Sequence, residues 1–177
     1  MADVDATDAD GDPISYSLFG DDAADFIINS ITGVITFAST PDYESPADNG
    51  GNNTYEFTVV ANDGINIPPS QTFTITVTNV DDNNPIISSP NSGNAYSANY
   101  AENGTGNVAT VVAADADGTS CTYSLTGTDA ADFNINSSTG VITFASTPDY
   151  ENPADNGGNN VYNFTAVATS NGNTDSQ

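Results

Sequence analysis

A duplication constrains this chain more than any other feature of its sequence. The segment Asp8–Gly11 recurs as Asp115–Gly118, at an offset of 107 (115 minus 8). At the same offset, the tract Pro41–Asn53 returns as Pro148–Asn160 with one change. Two copies of one unit in a single chain are typical of repeated domains, each of which is one structural module. The sequence therefore predicts two related domains in tandem.

Alternation of apolar and polar residues predicts that both copies are built from β-strands. Tyr55, Phe57 and Val59 alternate with polar residues, which is the pattern of a strand with one buried face. Further strands are predicted at Ile14–Leu18, Val34–Phe37, Phe73–Val77 and Tyr162–Ala166. Gly, Asn, Asp and Pro separate these runs, and no stretch favours a helix of any length. Several short strands in about 100 residues predict an all-β fold of tandem Greek-key β-sandwiches of the immunoglobulin-like type.

The phase of the repeat predicts the domain boundaries. We assign the first domain to residues 1–84, with a linker at 79–84, and the second to 85–177. Residues 85–107 have no counterpart in the first copy, and 71–78 have none in the second. The first domain is thus expected to lack its first strand and the second its last. Each would expose an unpaired edge, which neighbouring repeats or another copy of the chain could fill.

The charge of the chain excludes whole classes of function. It holds 24 Asp and Glu residues and no Lys, Arg or His, so its formal charge is −24. Nucleic-acid binding requires basic residues, and so does attraction to an anionic membrane. Catalysis that depends on His or Lys is excluded as well. No run of 18 apolar residues and no basic leader is present, so we expect a soluble segment of a longer protein, without membrane insertion.

The single cysteine excludes the metal sites that are built from several cysteines. Cys121 has no partner for an intrachain disulfide and cannot form a cysteine-clustered metal site. It lies in a predicted strand, where a small core residue is expected.

The acidic residues are grouped at the ends of the predicted strands. Two carboxylates about 4 Å apart repel by about 1 kcal/mol in water and by several times more when they are partly desolvated. Without basic partners such groups call for a hard cation with oxygen ligands, namely calcium. The alternative is a solvated acidic surface of a salt-adapted protein, which explains scattered acids better than short D-x-D and D-x-E spacings. The groups are Asp8/Asp10, Asp42/Glu44, Asp63, Asp81/Asp82/Asn83, Asp115/Asp117 and Asp149/Glu151.

These motifs in this order resemble the cadherin repeat over nearly the whole chain. Ala6–Gly11 matches the family's A-x-D-x-D-G, and Asn79–Pro85 is similar to its D-x-N-D-N-x-P calcium linker. Ala101–Asn103 resembles its X-E-N motif. The insertion Pro46–Asn53, repeated in the second copy, is similar to the cadherin-like repeats of large bacterial surface adhesins.

The resemblance implies calcium ions between consecutive repeats. For the central site it implies ligands from the first repeat, the linker and the second repeat: Asp42, Glu44, Asp81, Asp82, Asn83, Asp115 and Asp117. It implies that Asp8, Asp10 and Asp63 face a preceding repeat, and that Glu102, Asp149 and Glu151 face a following one. Asn79 and Ser170 depart from the pattern, because the family has aspartate at both positions.

The resulting functional hypothesis is a non-enzymatic, extracellular or cell-surface adhesion module in which calcium stiffens a rod of repeats. Its partners would be neighbouring repeats of the same or another copy, with cell-surface glycans or proteins as further candidates. The alternatives are a polysaccharide-binding module and a self-assembling filament subunit joined by strand complementation. A glycosidase using Asp149 and Glu151 is disfavoured, because these two are local neighbours rather than carboxylates on opposite sides of a cleft.

Overall fold

A computed structural model describes residues 2–65, 68–90, 93 and 95–177. The chain divides into two compact units, residues 1–80 and residues 81–177. Both units are all-β. The helical segments in the described residues are two three-residue 3-10 turns, Ala23–Asp25 and Ala130–Asp132. In these ranges no helix has the length and apolar character that a membrane span requires.

The described residues of the first unit form six strands in two three-stranded sheets. The strands are β1 (Ala2–Asp3), β2 (Ser15–Phe19), β3 (Phe26–Ile28), β4 (Val34–Phe37), β5 (Thr54–Asn62) and β6 (Ser70–Thr76). One sheet has the order β1-β4-β3 and the other the order β2-β5-β6, with antiparallel neighbours. Because the chain passes from one sheet to the other between β1 and β2 and again between β2 and β3, the connections cross over the core.

Aromatic side chains from both sheets fill the core of the first unit. Phe26 of β3 lies with its ring centroid 4.3 Å from that of Phe57 and 4.6 Å from that of Phe37. Ile35 and Val59 are buried beside them. The inward positions of β5 alternate with exposed or half-buried ones, as the sequence predicts. This packing joins the two sheets into a sandwich.

The second unit repeats this plan, with eight strands in the part that the structure describes. They are β7 (Ile86–Ser89), β8 (Ala109–Thr110), β9 (Val112–Ala114), β10 (Thr122–Thr126), β11 (Phe133–Ile135), β12 (Val141–Phe144), β13 (Thr165–Ser170) and β14 (Asn173–Ser176). The sheets are β11-β12-β8 and β10-β13-β14, and β7 pairs with β9. Phe133 packs 4.4 Å from Phe164 and 4.5 Å from Phe144, as its counterpart does in the first unit. The predicted all-β sandwich class is confirmed.

The strand predicted at Tyr162–Ala166 begins later than expected. In the first unit, Thr54–Phe57 of β5 is paired only by β6, whose ladder joins Thr54 to Thr76. In the second unit β13 begins at Thr165, and its ladder with β14 joins Val167–Ser170 to Asn173–Ser176. Tyr162 still packs edge-on against Phe133, with ring centroids 5.6 Å apart. Burial of the aromatic face therefore persists where the ladder is missing.

The prediction that the second domain lacks its last strand is wrong in part. Strand β14 pairs with β13 through a two-residue turn at Asn171-Gly172, in which both residues have positive φ. Asn-Gly is the dipeptide that such hairpin turns favour, because both residues adopt the left-handed conformation readily. The register joins Val167 to Ser176, as Val60 joins Ser70 in the first unit. A short last strand is therefore present.

The opening of the two units differs. In the second unit β7 pairs with β9, whereas the first strand of the first unit, β1, corresponds at the 107-residue offset to β8. No strand of the described first unit corresponds to β7.

Candidate metal centre

The loop that follows β9 is organised by hydrogen bonds to Asp115. The backbone N–H of Asp117 donates to Asp115 Oδ1 at 2.9 Å, and Gly118 N–H donates to the Asp115 carbonyl oxygen at 3.1 Å. Gly118 has a φ of +78°, a conformation that glycine adopts without steric cost. The D-x-D-G spacing thus forms a tight turn that holds two carboxylates at one end of the second unit.

The residues predicted as a linker are tied to this loop. Thr119 Oγ1 donates to Asp81 Oδ2 at 3.0 Å, and Asn83 N–H donates to Asp117 Oδ2 at 2.9 Å. The side-chain amide of Asn173 on β14 donates to the Asn83 carbonyl oxygen at 3.2 Å. These bonds explain why residues 81–84 belong to the second unit.

Three carboxylates converge here. One oxygen from each of Asp81, Asp115 and Asp117 lies within 4.8 Å of the others, and all three residues are half-buried. Asp81 Oδ1 and Asp115 Oδ2 are buried and accept no hydrogen bond from the described residues. A buried polar atom without a partner costs roughly 1–3 kcal/mol, and more when it is charged. Since the chain has no basic side chain, a bound cation is the counter-charge that this arrangement suits.

The donors fit a hard cation. The cluster offers carboxylate oxygens from three aspartates. Calcium takes six to eight such ligands in flexible geometry, while zinc prefers nitrogen and sulfur. Burial raises the pKa of the neighbouring Cys121 thiol, and the negative charge of Asp115 raises it further. The sulfur therefore stays protonated and is a poor ligand.

A second acidic group forms elsewhere in this unit. Oxygens of Glu102, Asp149 and Glu151 lie within 4.8 Å of one another, but all three residues are exposed. Glu102 Oε2 accepts from Tyr150 N–H at 3.3 Å, and Asp149 Oδ1 accepts from Glu151 N–H at 3.1 Å. Water can screen these charges, so the repulsion between the carboxylates is weaker and a bound cation would stabilise this group less.

The first unit does not bring its corresponding acids together. Asp8, Asp10 and Asp63 are all described, but they form no group of three within the same 4.8 Å limit. Asp8 Oδ1 accepts from the N–H groups of Asp10 and Asp12, at 2.8 and 3.1 Å. Asp63 Oδ1 accepts from Ile65 N–H at 2.9 Å. The carboxylates of Asp8 and Asp63 thus accept hydrogen bonds within their own turns.

The remaining predicted ligands also lie in local turns. Asp42 Oδ1 accepts from the N–H groups of Glu44 and Ser45, at 3.0 and 3.2 Å. Asp82 is exposed and accepts from the Asn83 side-chain amide at 3.1 Å. Ser170, where the family resemblance expects an aspartate, is the fully buried last residue of β13.

Sequence reasoning missed a set of buried aspartates with a structural role. In the first unit, Asp22 accepts from the N–H groups of Asn49 and Glu56, both at 2.7 Å. Asp48 accepts from those of Asn52 and Asn53, at 3.0 and 2.9 Å. The second unit repeats the arrangement with Asp129 and Asp155. The nearly unchanged Pro41–Asn53 tract was the available signal, because a loop held by its own side chains tolerates little change.

These hydrogen bonds shift the acidity of two of the four. The N–H of Asn52 lowers the pKa of Asp48 below its usual value, with help from Asn53. Burial acts to raise the pKa of Asp155, but the N–H groups of Asn159 and Asn160 outweigh it, and the net pKa is lowered. Both carboxylates are therefore fixed as anions that hold a loop, and they are not available to a metal.

Comparison with known proteins identifies the fold. The family model for the cadherin domain matches residues 1–78. The chain is similar to the structure of mouse cadherin-23 EC22-24, with 26% identity, a TM-score of 0.70, and coverage of 93% of this chain and 50% of that one. It is also similar to Drosophila N-cadherin EC1-4, with 25% identity, a TM-score of 0.78, and coverage of 99% and 42%.

Human CDH23 EC21-23 is a third such structure, with 24% identity, a TM-score of 0.75, and coverage of 99% and 64%. The fold is thus a cadherin-like β-sandwich. The chain spans half the length or less of the mouse and Drosophila structures. Among proteins with curated functions, none matches this chain.

Proposed function

We propose that this chain is a calcium-binding module of an extracellular adhesive protein, without enzymatic activity. Asp81, Asp115 and Asp117 hold the ion in the second unit, with Asp82 and Asn83 beside them. Its role is mechanical, since an ion that fixes the linker to the second unit limits the freedom of a chain of repeated domains. The cadherin-domain match and the repeated insertion support an adhesin of the cadherin-like class.

One observation carries the proposal. Asp81 Oδ1 and Asp115 Oδ2 are buried without hydrogen-bond partners among the described residues, in a chain that lacks every basic side chain. At about 4 Å, two carboxylates repel by about 1 kcal/mol in water and by about 4 kcal/mol at the effective dielectric constant of a protein surface. A divalent cation turns this repulsion into attraction.

The family resemblance extends the ligand set. It adds Asp42 and Glu44 to the same ion cluster, and it assigns Asp8, Asp10 and Asp63 to a preceding repeat. It also assigns Glu102, Asp149 and Glu151 to a following repeat. These assignments are proposed on the sequence motifs alone.

Isothermal titration calorimetry with calcium, and with magnesium as the competing ion, tests the proposal. We expect calcium to bind more tightly, because magnesium releases its water reluctantly and requires a stricter geometry. Asp115→Ala should weaken calcium binding at least tenfold, since it removes a ligand with a buried, unpartnered oxygen.

Asp8→Ala is the matched control, because Asp8 occupies the equivalent position of the first unit and its carboxylate caps a local turn. We expect this variant to change calcium affinity less than about twofold. Equal losses in the two variants, or equal affinity for the two metals, would refute the assignment of the site to Asp81, Asp115 and Asp117.

A further inference from the structure

Four asparagines of the chain are each followed by a glycine. In an Asn-Gly dipeptide the glycine nitrogen can attack the side-chain carbonyl carbon of the asparagine, because no Cβ hinders its approach. All four asparagines are exposed in the structure, so exposure does not distinguish them. Any difference in their reactivity must come from how each backbone is held. The four dipeptides are Asn49-Gly50, Asn103-Gly104, Asn156-Gly157 and Asn171-Gly172.

The dipeptide in the Pro46–Asn53 loop is held on both sides of the reacting bond. Asn49 N–H donates to Asp22 Oδ1 at 2.7 Å, and Gly50 N–H is hydrogen-bonded to Asp48. A nitrogen whose proton is bound by a carboxylate is hard to deprotonate, because the resulting anion would face a like charge. The second unit repeats these contacts at Asn156-Gly157. Both loops therefore protect their asparagine.

The dipeptide Asn103-Gly104 is held by backbone groups instead. Asn103 N–H donates to the Pro148 carbonyl oxygen at 2.9 Å, and Gly104 N–H donates to that of Ala101 at 3.2 Å. The attacking nitrogen is again engaged, so this site should also react slowly.

The fourth dipeptide is open. Asn171 and Gly172 form the two-residue turn between β13 and β14, with φ values of +45° and +95°. Neither residue makes a backbone hydrogen bond within the described part of the chain. The Gly172 nitrogen is thus accessible to base, and the Asn171 Cα–C bond is free to rotate toward the geometry of ring closure.

We propose that Asn171 is a site of spontaneous deamidation, and that the fold directs the reaction there by engaging the other three glycine nitrogens. Hydroxide removes the proton of the Gly172 nitrogen, which bonds to Asn171 Cγ. The Cγ–Nδ2 bond breaks, and ammonia leaves with a proton from water, which restores the hydroxide. Water then opens the five-membered imide at either carbonyl carbon. One opening gives aspartate, and the other gives isoaspartate, whose main chain runs through the side chain and is one methylene longer.

The isoaspartate product should disturb the strand that follows it. On β14, the side-chain amide of Asn173 donates to the Asn83 carbonyl oxygen at 3.2 Å, and Asp175 Oδ2 accepts from Ile87 N–H at 2.7 Å. A longer main chain in a two-residue turn shifts β14 against β13, so these two contacts should be released. Ageing of Asn171 would thereby loosen the opening segment of the second unit, and no step of this requires a bound ion.

Peptide mapping by mass spectrometry tests the choice of site. The whole chain is incubated at mildly alkaline pH, folded or in urea, and is then digested with chymotrypsin, since it has no Lys or Arg for trypsin. In urea the four sites should react at similar rates, because each is followed by glycine. Folding should slow Asn49, Asn103 and Asn156 by about tenfold or more, the factor expected for a hydrogen bond that must be broken.

Asn171 should be slowed by less than about threefold on folding, because its glycine nitrogen has no such bond to break. Slowing of Asn171 as large as that of Asn49 and Asn156 would overturn the proposal. So would faster conversion of any of the other three sites in the folded chain.

Amide hydrogen exchange at Ile87 tests the effect on the opening segment. The isoaspartate form, separated by ion-exchange chromatography, should exchange this amide about tenfold faster than the parent chain, since its hydrogen bond to a charged acceptor is lost. Asn171→Asp is the matched control, because it adds the same charge with a main chain of normal length, and it should leave Ile87 unchanged. Unchanged exchange in the isoaspartate form, or equal acceleration in Asn171→Asp, would overturn the release of the opening segment by a lengthened turn.

Discussion

The two units share most of their sequence but use their acidic residues differently. In the second unit Asp115 and Asp117 converge with Asp81, whereas Asp8, the counterpart of Asp115, accepts hydrogen bonds within its own turn. In the second unit Thr119 donates to Asp81, and Asn83 N–H donates to Asp117, so residues 81–83 are joined to the D-x-D-G loop. The D-x-D-G motif is therefore half of a site, which the linker completes.

Removal of calcium should give the largest difference between the units. We expect chelation by EDTA to destabilise the second unit by about 4 kcal/mol when calcium had been present at a thousand times its dissociation constant. The first unit should lose less. Amide hydrogen exchange of β10 compared with β2 measures this, because these strands occupy equivalent positions. Equal acceleration in both strands would contradict a site centred on the second unit.

The effect of Asp115→Ala on the free energy of unfolding should depend on whether calcium is present. In calcium the variant should be less stable than the parent chain, because the ion loses a ligand. In EDTA it should be equally stable or more stable, because one of three mutually repelling carboxylates is gone. Thermal unfolding of the variant and the parent chain in the two buffers measures both differences. A variant that is destabilised equally in both would indicate a structural role for Asp115 independent of metal.

The opening strand of the second unit should contribute the next largest effect. Ile87→Ala removes a side chain that is 6% exposed, so we expect a loss of about 2–4 kcal/mol from the free energy of unfolding. Ile86→Ala is the matched control, since Ile86 is 68% exposed and the change should cost less than about 0.5 kcal/mol. Chemical denaturation measures both. Similar losses would show that β7 does not insert Ile87 into the core.

Acid should affect the two units alike. Asp48 and Asp155 have lowered pKa values in the folded chain, so the stability that they contribute is present above the unfolded pKa of about 3.9 and is lost as the pH falls through the folded pKa. The amide NMR signals of Asn53 and Asn160 should shift together at pH values below 3.9. In Asp48→Asn only the signal of Asn160 should still titrate. Titration of both loops above pH 4 would contradict these hydrogen bonds.

A surface exchange should have the smallest effect. Ile31, which is 82% exposed in the first unit, corresponds to Ser138 in the second. We expect Ile31→Ser to change the free energy of unfolding by less than 0.5 kcal/mol, because it removes little buried surface. Thermal unfolding of the variant beside the parent chain measures this. A larger loss would mean that Ile31 is covered in solution.

The sequence predicted those parts of the fold in which local pattern and tertiary packing agree. Period-2 alternation located β2, β4 and β5, because each has one buried face. It placed the start of β13 at Tyr162, whereas the strand begins at Thr165 and Tyr162 packs against Phe133 from outside it. The hairpin at Asn171-Gly172 was missed although the dipeptide is a known turn signal.

Part of the candidate site could likewise be predicted from the sequence, and part of it could not. The spacing of Asp115 and Asp117 indicated metal chemistry, but their convergence with Asp81 depends on Thr119, whose hydroxyl role has no sequence signature. The predicted ligands Asp8, Asp10 and Asp63 show the converse, because a shared motif does not ensure a shared geometry. Asp22 and Asp48 were not anticipated, since a carboxylate that binds backbone amides looks like any other acid in a sequence.

The Pro46–Asn53 loop has a consequence for protein engineering. Its backbone amides are bound by Asp48 from within and by Asp22 from the neighbouring turn, and its ends meet the sandwich at fixed points. The conformation of this loop is therefore held by side chains of the loop itself and of the adjacent turn. We expect that a foreign sequence that keeps Asp48 can replace the loop as a whole while Asp22 stays in place, whereas single deletions inside the loop would remove these hydrogen bonds. The second unit has the same loop at Pro153–Asn160, so the chain offers two equivalent positions for the display of a foreign sequence.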